Sequence, residues 1–373
     1  MSDNYLGKEI KKLGFGLMRL PMDGKDIDIQ QVKQMVDRFM EDGFTYFDTA
    51  YIYHNGLSES VVKEAIVDRY PRESFRLATK MPLWAVKNPE DLQTIFDTQL
   101  ERTGAGYFDY YLLHSMDKQK AADAEKMGAW EFGLEMKEKG FVKHLGFSFH
   151  DTADVLDDIL TKHPEAEFVQ LQINYADWES EEVQSRLCYE VAYKHKKPII
   201  IMEPIKGGAL AGMRPEIQEM FKKEEPELSI ASWAIRYAAS LEGVFMVLSG
   251  MSNLAQMEDN LSFMKEFKPL VEKDYEIIKK AVEELDKVET IPCTACKYCV
   301  DDCPQQINIP EIFNSVNNFR IYQNLESAKG NYMWVTSSSG KAADCIECGS
   351  CESHCPQHIA IIDNLKEATV LFK

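Results

Sequence analysis

Short apolar runs recur along the first 265 residues, separated by longer stretches in which apolar residues return every three or four positions. The runs at 13–20, 44–49, 75–80, 109–114, 144–148, 168–174, 198–203 and 244–249 are mostly near-continuous, as expected of parallel strands covered on both faces. Helical periodicity fills the gaps at about 29–42, 58–70, 90–103, 126–140, 153–163, 179–196 and 228–241, with a further stretch at 253–265. Pro89 suits a helix start, and Gly43 and Gly140 suit helix stops. Eight alternations of strand and helix predict an α/β fold, a (β/α)8 TIM barrel. An open doubly wound sheet would favour a glycine-rich turn after the first strand. Gly14 and Gly16 instead lie inside that strand, and no helix opens directly after them.

Polar residues interrupt the apolar pattern at three strand ends. Asp48 closes the second run, Lys80 the third and His114 the fourth, while Tyr53 follows Asp48 in the next loop. In a barrel of this kind the C-terminal strand ends form the active face, so the topology gathers an acid, an ammonium, an imidazole and a phenol. Asp48 can hold Lys80, and Lys80 is expected to lower the pKa of Tyr53 from about 10. Tyr53 can then donate a proton to a substrate oxygen that His114 orients.

Composition adds limits. At 373 residues the chain exceeds the roughly 250–300 residues at which single cores stop growing, which leaves room for a barrel and a small second domain. A net charge of −19 argues against nucleic acid and anionic membrane as partners, since both call for a basic patch. The opening MSDNYLGKEIKK has no apolar signal core. No stretch approaches the roughly 20 apolar residues of a membrane span, and a cytoplasmic protein is expected.

The segments FDTAYIYHNGLSE, ATK and LLH resemble the active-site segments of the aldo-keto reductases, and the similarity runs from about residue 10 to 265. The resemblance implies an oxidoreductase moving a hydride between a nicotinamide and the carbonyl or alcohol carbon of a small-molecule substrate. Tyr53 would be its general acid and base, Lys80 and Asp48 the pair that tunes it, and His114 the group that orients substrate. It also implies a cofactor site. Ser148 and Gln172 would hold the nicotinamide carboxamide, with Tyr175 near the ring. Pro204, Lys206 and Gly208 would belong to the loop over the pyrophosphate. Ser249, Gly250, Met251, Gln256 and Asn260 would form the adenosine end. The chain departs from the family at Phe149, where Asn is expected. It departs again at Gly250 and Gln256, where many members carry Lys and Arg for the 2′-phosphate of NADPH. The cofactor implied is NAD(P)H with its identity open, and NADPH is expected to hold no large advantage.

Eight of the nine cysteines form two runs, Cys293-x2-Cys296-x2-Cys299-x3-Cys303-Pro304 and Cys345-x2-Cys348-x2-Cys351-x3-Cys355-Pro356. Structural zinc uses pairs of cysteines rather than runs of four, whereas this spacing is that of iron–sulfur ligation. The runs resemble the bacterial two-cluster ferredoxins, which implies two [4Fe-4S] clusters with crossed ligands. One would take Cys293, Cys296, Cys299 and Cys355, the other Cys345, Cys348, Cys351 and Cys303. Helical patterns at 310–316 and 359–372 predict a mainly helical dicluster domain over 289–373, after a barrel domain over 1–288. Cys188, in a helical pattern beside Leu187 and Val191, reads as a small buried apolar residue.

A further helical pattern at 271–288 would span roughly 25 Å. It is expected to bring the chain back to the catalytic rim before Cys293. Three readings follow. The barrel's redox chemistry is linked to the clusters, with a ferredoxin or other electron donor as partner; or a carbonyl reductase carries clusters as staples; or the barrel is a platform in an electron-transfer or redox-sensing protein. The intact tetrad and two complete cluster motifs favour the first.

Overall fold

The computed structural model describes residue 6, residues 10–301 and residues 303–373. It divides into two compact units, one formed by 1–204 with 232–271, the other by 205–231 with 272–373.

The first unit is a closed barrel of eight parallel strands. They are β1 (Leu13–Gly16), β2 (Tyr46–Asp48), β3 (Arg76–Met81), β4 (Phe108–Met116), β5 (Val142–Phe149), β6 (Phe168–Gln172), β7 (Ile199–Met202) and β8 (Val244–Ser249), and β8 closes on β1. Each falls on an apolar run read from the sequence. β1 stops at Gly16, where the Leu17 N–H turns to the Asp48 carbonyl at 2.8 Å. Close approach of strands explains Gly146 on β5, because a Cβ there would stand 2.5 Å from the Phe168 carbonyl oxygen. Inside the barrel the aromatic rings of Tyr46, Tyr110, Phe168 and Phe245 pack against one another.

The helices follow their amphipathic stripes, with local departures. Helix Ile29–Glu41 is capped by Asp28, which accepts from the Gln31 N–H, and it buries Val32, Met35, Val36 and Phe39. The stretch expected as one helix at 126–140 is instead two, Lys118–Met127 and Ala129–Glu138, broken at Gly128 with φ +73°. The helix expected from 179 starts only at Ser185. Gln184 just before it is left-handed, and its side chain accepts from the Ala153 N–H at 3.0 Å.

The second unit is helical: Pro215–Glu224, Glu272–Leu285, Ile309–Tyr322, Leu325–Val335 and Ile361–Leu371 are its longer helices. Its core gathers Ile307, Ile309, Ile312, Phe313, Val316 and Leu365 among others. Tyr332 stacks on Phe372 with centroids 4.5 Å apart. Helix Glu272–Leu285 packs on Pro215–Glu224 and adds the Lys273–Glu224 ion pair. The compact units thus group helix Glu272–Leu285 with Pro215–Glu224 rather than with the barrel. No described helix is long and apolar enough to cross a membrane.

Candidate functional site

The barrel register explains why three strand ends converge. Asp48 pairs with Ala78, and Lys80 lies two residues beyond that partner; Lys80 pairs with Leu112, and His114 lies two residues beyond in turn. Side chains alternate along a strand, so steps of two keep all three on one face. The Lys80 ammonium donates to Asp48 Oδ1, to the Thr49 carbonyl at 2.8 Å and to Tyr53 Oη at 3.3 Å. Those acceptors use its three hydrogens. From the opposite side of the barrel, Gln170 donates to Asp48 Oδ2 at 3.3 Å. Asp48 is 2% exposed and Lys80 fully buried.

Tyr53 opens a tight turn, Tyr53–Gly56, in which His54 and Asn55 are left-handed. His54 Nε2 accepts from the Leu20 N–H at 3.1 Å and pins the turn to the chain leaving β1. The His114 ring stands edge-on to Tyr53 with centroids 6.1 Å apart, and its Nδ1 is buried with no hydrogen-bond partner among the described residues. Trp84 lies 5.0 Å from His114 and stays half exposed. In the sequence Trp84 is marked only by its position just after β3.

Protonation follows from burial set against the ion pair. Burial raises the Asp48 carboxyl and Lys80 opposes that rise. Burial pulls Lys80 down, but Asp48 and then Tyr53 outweigh it, leaving the ammonium above its usual value. For Tyr53 the sequence expectation needs correction. Lys80 does pull the phenol down, but burial is the larger influence and the net shift is upward. Tyr53 is thus a protonated phenol at neutral pH. Burial, and after it Lys80, push His114 well below the usual histidine range, so the imidazole is neutral.

The residues assigned to a nicotinamide are placed as follows. Ser148 is buried near the end of β5 and accepts from the Ser115 N–H at 2.7 Å. Phe149 next to it is 3% exposed and lies in the apolar core. Gln172 ends β6 and donates to Asp177 at 3.3 Å. Tyr175 is 3% exposed with its ring edge-on to Tyr237, which is a packing environment. Ser249 accepts from Asn260 at 2.7 Å, joining β8 to helix Leu254–Met264. Met251 is buried. At Gly250 a Cβ would meet the Arg19 stem at 3.3 Å. The Gln256 side chain folds back to accept from the Ser252 N–H at 2.7 Å. Pro204 closes its part of the barrel unit, while Lys206 and Gly208 belong to the second. There the turn Lys206–Ala211 has Lys206, Gly207 and Gly208 in left-handed backbone. Asn324 donates to the Gly208 carbonyl at 2.9 Å while capping its own helix. Asn324 had no signature in the sequence beyond its suitability as a cap.

In the second unit the eight clustered cysteines ring two cavities. One is lined by Cys293, Cys296, Cys299 and Cys355, with Ile309 and Phe313 among its apolar walls. The other is lined by Cys303, Cys345, Cys348 and Cys351, with Ile307 and Leu365. Each run thus sends its fourth cysteine to the other's cavity. The two runs also share a backbone: Ala295 and Lys297 are left-handed in the first, Glu347 and Gly349 at the same offsets in the second. Mixed right- and left-handed residues turn successive N–H groups into an anion-holding concavity, a form common at iron–sulfur sites. Burial raises the Cys299 and Cys351 thiols to about 11, so a bound cationic centre is what would keep them as thiolates at neutral pH. Cys188 is buried elsewhere, its thiol raised to about 12 by burial, and it behaves as an inert core residue.

Residues 12–283 match the model of the aldo/keto reductase family. The chain belongs to that family. Residues 292–360 match the 4Fe-4S dicluster domain, so this aldo/keto reductase carries a dicluster domain at its C-terminal side. Among curated relatives, the probable aldo-keto reductase 1 of Glycine max is 29% identical over 196 residues, 50% of this chain and 54% of that protein. Methylglyoxal reductase DkgA of Yersinia pestis is 28% identical over 39% of this chain and 48% of its own length. The chain thus spans about half the length of these two relatives. The match to oxidoreductase YqkF of Bacillus subtilis, 23% identical, covers 68% of this chain and 87% of that protein. An aldo-keto reductase from Klebsiella pneumoniae, solved in complex with NADPH, superposes with a TM-score of 0.60 at 17% identity over 73% of this chain and 90% of its own, and shares the fold.

Proposed function

We propose that this aldo/keto reductase-family oxidoreductase interconverts a carbonyl and an alcohol on a small organic substrate. We further propose that two [4Fe-4S] clusters, at one electron each, supply or accept the two electrons of that chemistry when no nicotinamide hydride carries them. The observation that carries the reading is the buried Lys80 ammonium, held by Asp48 and the Thr49 carbonyl with its third hydrogen on the Tyr53 oxygen. In that position the ammonium stabilises negative charge appearing on the phenol as its proton leaves. Tyr53 starts protonated because burial raises it, which suits a proton donor. His114 is neutral beside it and can hydrogen-bond a substrate oxygen without placing a second cation next to Lys80. Gln170 and Lys80 together use both oxygens of Asp48, so the acid serves as a fixed counter-charge.

Ser148 and Gln172 are the residues that would hold a nicotinamide, which supplies the hydride when bound. The Ser148 oxygen already accepts from Ser115, and its own proton is left to donate. Gln172 spends an amide hydrogen on Asp177 and keeps its carbonyl as an acceptor. Cys293, Cys296, Cys299 and Cys355 would hold one cluster and Cys303, Cys345, Cys348 and Cys351 the other; bound clusters exchange single electrons. The test is a donor screen on anaerobically prepared protein, with NADH, NADPH and reduced viologen offered in turn. Turnover with a nicotinamide that persists while the clusters stay at one oxidation level would assign them to structure instead.

A further inference from the structure

Among the buried acids outside the tetrad, one is bonded to Thr79, beside Lys80 on its strand. Glu59, on helix Ser58–Val62, is fully buried. Its Oε1 accepts from Thr79 Oγ1 at 2.8 Å and from Gln99 Nε2 at 2.9 Å, while its Oε2 faces Arg102 at 3.4 Å. Gln99 also donates to the Lys80 carbonyl at 3.0 Å and accepts from Tyr111 Oη at 2.7 Å. Arg102 reaches the Tyr51 carbonyl at 3.4 Å and lies over the Tyr51 ring at 4.4 Å. One side of the carboxylate therefore holds the strand around Lys80, and the other holds the loop two residues before Tyr53.

An apolar side chain could fill the same space between helix and strand without burying a charge, often at no loss of stability. What it could not do is accept hydrogen bonds from two directions. We propose that Glu59 is a positioning residue whose carboxylate sets the separation of Lys80 and Tyr53 by tying β3 to the Tyr53 loop. The catalytic use of that separation rests on the proposed role of Tyr53 as proton donor; the separation itself does not.

The variant Glu59→Gln separates the two ties. Its carbonyl keeps Thr79 and Gln99, and its amide nitrogen faces Arg102, where two donors cannot bond. Lys80 lowers Tyr53, so a looser pair should raise the phenol further. Tyr53 ionisation is read by NMR titration of ring-labelled tyrosine, with Tyr53→Phe assigning the resonance. The Tyr53 midpoint is expected to rise by about one pH unit in Glu59→Gln. In active protein kcat should fall about tenfold to a hundredfold with KM nearly unchanged, as for a small misplacement of catalytic groups. Adding Arg102→Gln should restore part of the loss, because two amides can pair. A lower melting temperature with an unmoved Tyr53 titration would reduce Glu59 to packing and overturn the proposal. If Glu59→Gln does not fold, Arg102→Met cuts the same tie from its other end and must move the same titration. Should the parent reduce no carbonyl at all, the proton-donor role falls while the NMR result still decides the tie.

Discussion

The barrel site and the cluster cavities solve opposite problems. Around Lys80 the protein supplies every partner itself: a carboxylate, a backbone carbonyl and a phenol for the ammonium, and a glutamine for the carboxylate's second oxygen. The cysteine cavities are built the other way. Eight cysteines line two cavities from loops and from the short helices Tyr298–Asp301 and Ser350–Ser353, which carry Cys299 and Cys351. The Lys80 ammonium has a protein acceptor for each of its hydrogens, whereas the cavities are lined by cysteines with apolar walls such as Ile309, Phe313, Ile307 and Leu365. Regular strands can preset a geometry, while loops can only close around something.

Removing iron should break the comparison most visibly. Anaerobic protein is expected to hold about eight iron and eight sulfide, and replacing Cys351 by Ser should remove about half. Chelation under reducing conditions should melt the second unit, lowering helical circular dichroism, while the barrel keeps a cooperative transition. Metal binding to a site that the unfolded chain lacks contributes folding free energy, as structural zinc sites show. Zinc found in place of iron, or an undisturbed helical unit after chelation, would end the contrast.

Tyr53→Phe tests the preset side. It removes one hydroxyl from a site whose other members keep their partners, so binding should survive and turnover should fall by roughly 10²–10⁴. A parent-like rate would mean that another group delivers the proton. His114 offers a smaller test through pH. Its folded pKa lies well below the unfolded value of 6.5, so the neutral form contributes stability that is present above pH 6.5 and lost as pH falls toward the folded pKa. His114→Gln should flatten that acid-side decline in barrel melting temperature. An unchanged slope would place the acid sensitivity elsewhere.

The contrast also marks what the sequence could disclose. The strands were legible because parallel strands read as unbroken apolar runs, and the tetrad because those runs end in Asp48, Lys80 and His114. The resemblance of the cysteine runs to two-cluster ferredoxins implies two crossed sets, and the two cavities are lined by cysteines grouped in the same way. Helix Leu325–Val335 was missed because its buried Ala328, Tyr332 and Val335 share it with exposed Met333 and Trp334 and with Gly330, which blurs the stripe. Glu59 and Gln99 look like solvent-facing helix residues and are fully buried; only the fold reveals that they face each other. The direction of the Tyr53 shift was misjudged because a charge partner can be read from spacing and a desolvation cost cannot.

The smallest expected effect concerns coenzyme preference, and it sharpens the account of the barrel. A 2′-phosphate is gripped by charge-assisted hydrogen bonds from basic side chains. Here Gly250 has no side chain, and the Gln256 carbonyl is folded onto the Ser252 N–H. On the helix Ile29–Glu41, Arg38 is engaged by both Asp42 and Glu258 and Lys33 by Glu64. NADPH should therefore bind within about tenfold of NADH, a difference of less than about 1.4 kcal/mol. Equilibrium titration of both coenzymes against the same protein measures this directly. A hundredfold preference for NADPH would point to Arg19, whose stem runs beside Gly250 while its guanidinium is 3.6 Å from Glu203. In a barrel with that preference, Arg19→Gln should abolish the advantage of NADPH and leave NADH untouched. If Arg19→Gln weakened both coenzymes equally, the guanidinium would be acting on a phosphate that the two share.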